Sequence, residues 1–198
     1  RAALPLTVRE GLAPWRTSGP IDVRVEARRT AEAPQTRFDL TAALHGIEVE
    51  HESLPQPLQN VRGTLLFDND GIRSKELSLE YAGATAVVEL KFFTDHLRTQ
   101  GSVAVKASQV TLDDAKRLAL PLALRPAWDR AAPRGILNLD SVGLQYNHPQ
   151  EQQPTWTMQA DLGLSNVSLL GLGEIERIDG RATLGGELLG ANGTTALR

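Results

Sequence analysis

Apolar and polar residues alternate along most of this chain. Ile21, Val23 and Val25 are separated by Asp22 and Arg24, and Phe38, Leu40, Ala42 and Leu44 form a second alternation. Val61, Gly63, Leu65 and Phe67 form a third, followed by Leu77, Leu79 and Tyr81, then by Ala84, Ala86, Val88, Leu90 and Phe92. Val103 and Val105 continue the series, as do Leu137, Leu139, Val142, Leu144 and Tyr146, with a bulge expected where the step changes. Trp156, Met158, Ala160, Leu162 and Leu164 close it. A period of two places one row of side chains on each face of a strand, so the pattern predicts strands with one apolar and one polar face.

The connectors predict antiparallel neighbours. Asp68-Asn69-Asp70-Gly71 suits a tight hairpin, because Asn, Asp and Gly tolerate positive φ. Ala82-Gly83 joins the next two runs closely, and Thr94 to Gln100 reads as a polar link. One helical island interrupts this meander at about 111–130. Thr111 is placed to cap it, with Asp113 and Asp114 in its first turn. Pro121 should end that helix or start another. Leu118, Leu120, Leu122, Leu124 and Trp128 give the island an apolar side.

The same phrases occur twice. Ala3-Leu4-Pro5-Leu6 returns as Ala119-Leu120-Pro121-Leu122, Arg9 as Arg125 and Gly19 as Gly135, each 116 residues on. Val61-Arg62-Gly63 corresponds to Ile178-Asp179-Gly180 at an offset of 117. A fixed period of this length signals tandem units that bury their apolar faces by stacking. The expected organisation is a preceding unit ending in a helical crossover at 1–19, a full unit at 20–134, and the start of a third at 135–198. The chain then reads as an internal piece of a longer protein.

Composition narrows the functional classes. The 198 residues are 41% hydrophobic and 23% charged, with a net charge of −3 and no cysteine. Basic residues do not cluster, so no nucleic-acid partner is expected, and disulfide and thiolate chemistry are excluded. No run approaches the ~20 apolar residues of a membrane helix. His45, His51, His96 and His148 lack metal-site spacing. The Asp68 to Gly71 turn lacks the later Glu of a calcium loop, and Gly171-Leu172-Gly173 lacks a dinucleotide loop's third glycine. No nucleophile, base and acid set stands out. The expectation is a protein that is not an enzyme and that needs neither cofactor nor metal.

Leu58-x-x-Val61-x-Gly63, followed by the strand pair from Leu77 to Leu90, resembles the signature of AsmA-like proteins of bacterial envelopes, of the TamB and YhdP type. The passage SQVTLDDAKRLALPLALRPAWDRAAPRGILNLD, from Ser108 to Asp140, resembles the crossover of very large planctomycete-type members. The resemblance implies an all-β, mainly antiparallel, open and curled groove built from tandem repeats of about 116 residues. It further implies a periplasmic segment, anchored in the inner membrane by a helix elsewhere, that accommodates phospholipid acyl chains between the two membranes. The expected lining is Ile21, Val23, Val25, Phe38, Leu40, Leu44, Val61, Leu65, Phe67, Leu77, Leu79, Val88, Leu90, Phe92, Val103, Val105, Leu137, Leu139, Trp156, Met158, Leu162 and Leu164. The alternative is a scaffold that assists outer-membrane β-barrel proteins by strand addition, with inner-membrane anchor proteins as further partners. On the bland reading the same strands are the inner face of an ordinary sandwich.

Overall fold

In a computed structural model of the chain the alternating segments form one open antiparallel sheet of 11 strands. The structure describes residues 14–29, 37–51, 54–95, 98–120, 122, 125–149, 154–172, 175–189 and 195–197. In chain order the strands are β1 (Trp15–Ser18), β2 (Ile21–Arg28), β3 (Arg37–His51), β4 (Leu58–Asp68), β5 (Gly71–Tyr81), β6 (Ala84–Thr94), β7 (Arg98–Leu112), β8 (Pro133–Pro149), β9 (Thr155–Leu169), β10 (Ile175–Leu189) and β11 (Thr195–Leu197). Spatial order follows chain order from β3 to β10, so the sheet is a meander. β1 and β2 share one edge of β3 and together make a terminal strand interrupted at Gly19-Pro20. β11 flanks β10 at the other end.

Two short helices, α1 (Asp114–Ala119) and α2 (Arg125–Ala131), link β7 to β8. Those strands pair directly with each other, so the link is a decorated hairpin and not the expected crossover. Its N-cap is also not Thr111, which lies in β7. Asp113 takes that place, its carboxylate accepting from the Lys116 backbone N–H at 2.9 Å. The capping site lies two residues later because pairing of Thr111 and Leu112 with β8 holds them in the sheet. Pro121 and Leu124 lie outside the described residues. Of the apolar side expected of this island, Leu118 and Leu122 are 52% and 74% exposed, while Leu120 and Trp128 are half-buried.

Polar contacts pin the link. Tyr81 Oη donates to the Ala119 carbonyl at 2.6 Å, and the Arg125 guanidinium donates to the carbonyls of Leu118 and Leu120. Arg117 clasps Asp129 and holds its carboxyl below the usual range. That contribution is complete above the ordinary carboxylate range and fades as pH falls through the depressed value.

Other local expectations also shift. Residues 15–18 are strand, not the tail of a helical island; residues 1–13 lie outside the described set. The link at Thr94 to Gln100 shrinks to 95–97 because β6 and β7 pair out to Thr94 and Thr99. The Asp68 to Gly71 turn uses no positive φ: the Asp68 carboxylate accepts from the N–H groups of Asp70 and Gly71, both at 3.0 Å. Positive φ occurs at the next turn, where Ala82 (51°) and Gly83 (76°) both adopt the left-handed conformation of a two-residue hairpin loop.

The strands do not alternate perfectly, and the pairing explains how one face stays apolar. Leu44 and Ile47 differ by an odd step, yet both face the same side. A bulge with Gly46 at φ 84° absorbs the extra residue. Opposite it, Asn60 at φ 51° does the same for Leu58 and Val61. The pair β9–β10 shows the same arrangement. Leu44 with Gly63, Ile47 with Val61 and Val49 with Leu58 are matched by Leu164 with Gly180, Val167 with Ile178 and Leu169 with Ile175. Asn166 (φ 50°) and Arg177 (φ 57°) hold the bulge positions there.

The core lies on one face of a single layer. Ala42, Leu44, Ile47, Val61, Leu77 and Leu79 are buried, down to 2% exposure at Ile47, and residues of β3–β6 on the same face pack around them. These side chains are covered by their neighbours along and across the strands of the same open sheet. Ser74 intrudes on this face beside Leu90, 2% exposed and with its hydroxyl unpartnered among the described residues. Replacing it by Ala removes a buried polar group without opening a void. Ser74→Ala is expected to stabilise the fold by about 1 kcal/mol, read as a higher urea midpoint at unchanged m-value.

Candidate functional site

Antiparallel partners project to the same side of a sheet, so the register sorts every side chain by face. One lateral row runs through Ile21, Leu44, Gly63, Leu77, Val88, Val105, Val142, Ala160 and Leu184, from β2 to β10, with no polar member. At roughly 4.8 Å per strand it is about 38 Å long. Val23, Ala42 and Leu65 lie alongside in β2–β4. Leu90, Val103, Leu144 and Met158 do so in β6–β9. Leu139 pairs with Leu162, and Leu137 with Leu164. Nearer the strand ends, Val25, Leu40, Phe67, Ile72, Phe92, Gly101, Tyr146 and Trp156 form a further row. Val61 and Leu79 belong to the buried cluster, and Phe38 projects to the same side as Leu40. The register thus places all the residues expected to line a groove on one face.

The floor is graded in exposure. Its buried residues are concentrated in β3–β5, and it is mainly half-buried across β6–β9, where Leu112, Ala160 and Val167 are the buried members. It opens at the edge, where Val23 and Val25 are 58% and 61% exposed. Packing between elements runs from each strand to its neighbours, with the helices and a 3-10 turn (Leu170–Leu172) grouped at one end of the strands. Among the described residues no second layer covers the apolar face.

The opposite face is mainly charged and polar, with Leu66, Val87 and Phe93 as exposed apolar members. Arg24 and Arg28 both bond Glu26, and their hydrogen bonds, Arg28's first, hold its carboxyl below its ordinary range. His45 meets Asp22 at 2.9 Å and Arg73 meets Asp68 at 2.9 Å. Both ends of the sheet retain unpaired strand edge among the described residues: the outer side of β1–β2, and β10 from Ile175 to Gly185. Charged side chains alternate along β2, a common protection of such edges. No cluster of three or more His, Asp or Glu at metal-binding separation occurs among the described residues, and no described helix is long and apolar enough to cross a membrane. His96 lies outside the described residues.

Several floor residues escape a strict alternation: Ile47, Val49, Leu58, Ile72, Val110, Leu112 and Val167. Except at Ile72, where Ser74 stands at the step, their signal is an apolar step of three where a bulge resets the parity, as from Leu44 to Ile47 or from Leu164 to Val167. No family model, curated protein or solved structure matches this chain.

Proposed function

We propose that this chain is a segment of a repeating β-groove that holds phospholipid acyl chains against its apolar face as they pass between the inner and outer membranes of a bacterial envelope. The observation that carries the reading is the wholly apolar row from Ile21 to Leu184, on a face with no covering layer among the described residues. Two acyl chains present roughly 30 methylenes, and at about 0.8 kcal/mol each their exposure to water opposes transfer by about 25 kcal/mol. An apolar wall about 38 Å long replaces much of that water, while an open trough leaves headgroups hydrated. Aliphatic side chains without built-in polar contacts grip weakly, and a conduit needs weak grip.

A repeat of about 116 residues is part of the same proposal. The pairs 58, 61 and 63 against 49, 47 and 44 recur as 175, 178 and 180 against 169, 167 and 164. Gly19 and Gly135 recur as well, each with positive φ and each pressed against the strand beside it, at Ile47 and Val167 respectively. A stack of such units extends one wall in one direction.

A photo-crosslinking residue at Val88 is expected to capture phospholipid in membranes, while one at Glu89, on the polar face, captures none. Lipid adducts at Glu89 equal to those at Val88, or none at either, would end the reading. Adducts to unfolded β-barrel proteins instead would favour the second reading, strand addition, for which the unpaired stretch of β10 is the supporting observation.

A further inference from the structure

The apolar face changes character along the strands. Near the turns that join β6 to β7 and β8 to β9, three successive rows cross it. The outermost is Thr94, Thr99 and His148. The next is Phe92, Gly101, Tyr146 and Trp156, and the third is Leu90, Val103, Leu144 and Met158. Rows two residues apart are about 7 Å apart. Within about 14 Å the surface therefore passes from hydroxyl and imidazole, through amphipathic rings, to hydrocarbon.

The middle row is specifically built. A Cβ on Gly101 would fall 2.2 Å from two atoms of the Phe92 ring, so that ring occupies the space of the missing side chain. Phe92 reaches Tyr146 at 6.4 Å between ring centroids, and Tyr146 packs on Trp156 at 4.7 Å and on His148 at 6.2 Å. These rings are half-buried. Among the described residues the Tyr146 hydroxyl, the Trp156 indole N–H and the His148 imidazole have no hydrogen-bond partner. A floor built only for hydrocarbon would use Phe or Leu here; Tyr and Trp add polar tips that want partners. The other end of the strands differs, since Tyr81 already donates to the Ala119 carbonyl and the helices stand there.

We infer that this ledge seats the glycerol-ester and phosphate end of a glycerophospholipid, with its chains running along the strands toward the helical end. The inference rests on the groove reading and adds an orientation to it. Ester and phosphate oxygens are acceptors, and Tyr146, Trp156, His148 and the Thr94 and Thr99 hydroxyls, which bond each other at 3.3 Å and keep one hydroxyl hydrogen between them, offer donors at the depth where those oxygens would lie. An extended peptide would not require polarity to fall in this order.

The test uses depth-dependent fluorescence quenching. In the chain carrying Trp15→Phe and Trp128→Phe, Trp156 is the sole tryptophan. Loaded with phosphatidylcholine brominated near the ester end of its chains, it is expected to be quenched at least about twofold more than with bromine near the methyl end. In the same background, Trp156→Phe with Leu162→Trp moves the probe toward the helical end, and the order should reverse. Equal or inverted quenching at Trp156, with clear quenching at position 162, overturns the orientation and leaves the groove reading standing. No quenching at either position overturns both. Tyr146→Phe keeps the ring and removes the donor; it should weaken phosphatidylcholine retention roughly threefold to tenfold, and unchanged retention would overturn the role given to the hydroxyl.

Discussion

Gly63→Ala is expected to abolish cooperative folding, or to lower stability by more than about 3 kcal/mol, a large part of what a domain of this kind possesses. Gly63 has φ 131°, and a Cβ there would stand 2.4 Å from the Glu76 carbonyl oxygen and 3.3 Å from Leu77 Cα. Both are backbone atoms of the neighbouring strand, so no rotamer change relieves the clash. The residue lies between Leu44 and Leu77, both buried, so displacing β5 would open the best-packed part of the floor. Gly180 holds the matching place in β10, at φ 150°, but a Cβ there meets nothing within 4 Å. Gly180→Ala should therefore cost only the conformational penalty, about 1 kcal/mol. Urea titrations of the two variants check this, and equal effects would show that the strand contact at Gly63 is not what matters.

That contrast separates what one sequence makes legible from what only pairing makes legible. The existence and order of the long strands follow from alternation, because a run such as Ala84 to Phe92 has an apolar stripe only at period two. Strand ends do not follow, since they depend on the neighbour. Thr111 has the chemistry of a cap yet stays in β7, where its pairing with Ile136 holds it extended. Ala82 shows the same limit. Nothing in its side chain favours φ 51°, and the turn imposes that angle because β5 and β6 are already in register. Bulges were readable only where the apolar step changed inside a recognised strand, as from Leu139 to Val142. At Ser74 to Leu77 the first member is a serine, so the step is invisible until Ser74 is seen opposite Leu90.

For the candidate site, composition of the floor was legible and its texture was not. Val88, Leu90, Val103 and Val105 announce an apolar face. The aromatic ledge needs Phe92, Gly101, Tyr146 and Trp156 to fall in one row, and in the chain they lie as much as 64 residues apart (156 − 92) before the hairpins bring them together. Gly101 looks like a strand-weakening residue in sequence. In the fold it makes room for the Phe92 ring.

A charge placed in the floor should do what the aromatic ledge cannot test, which is to separate an open lipid wall from a sheet whose apolar face merely packs on protein. Val105 is sixth in the nine-strand row, is half-buried, and has Val88 and Val142 beside it. Val105→Asp leaves its carboxylate hydrated in the empty trough, so the fold should persist with a loss of about 1–2 kcal/mol. An acyl chain lying across that position would have to strip water from the charge, at several kcal/mol without a partner. Phospholipid retained through purification should then fall at least about tenfold, which corresponds to only 1.4 kcal/mol of that penalty. Lys106→Asp, one residue away on the polar face, changes charge more and should leave retention within about twofold, a difference under ~0.5 kcal/mol. Native mass spectrometry of the three proteins, with urea midpoints measured alongside, decides the matter. If Val105→Asp unfolds the chain while Lys106→Asp does not, the row is a sealed core and the open-groove reading fails; if both variants fold and retain phospholipid as the parent does, the lipid does not lie on this face.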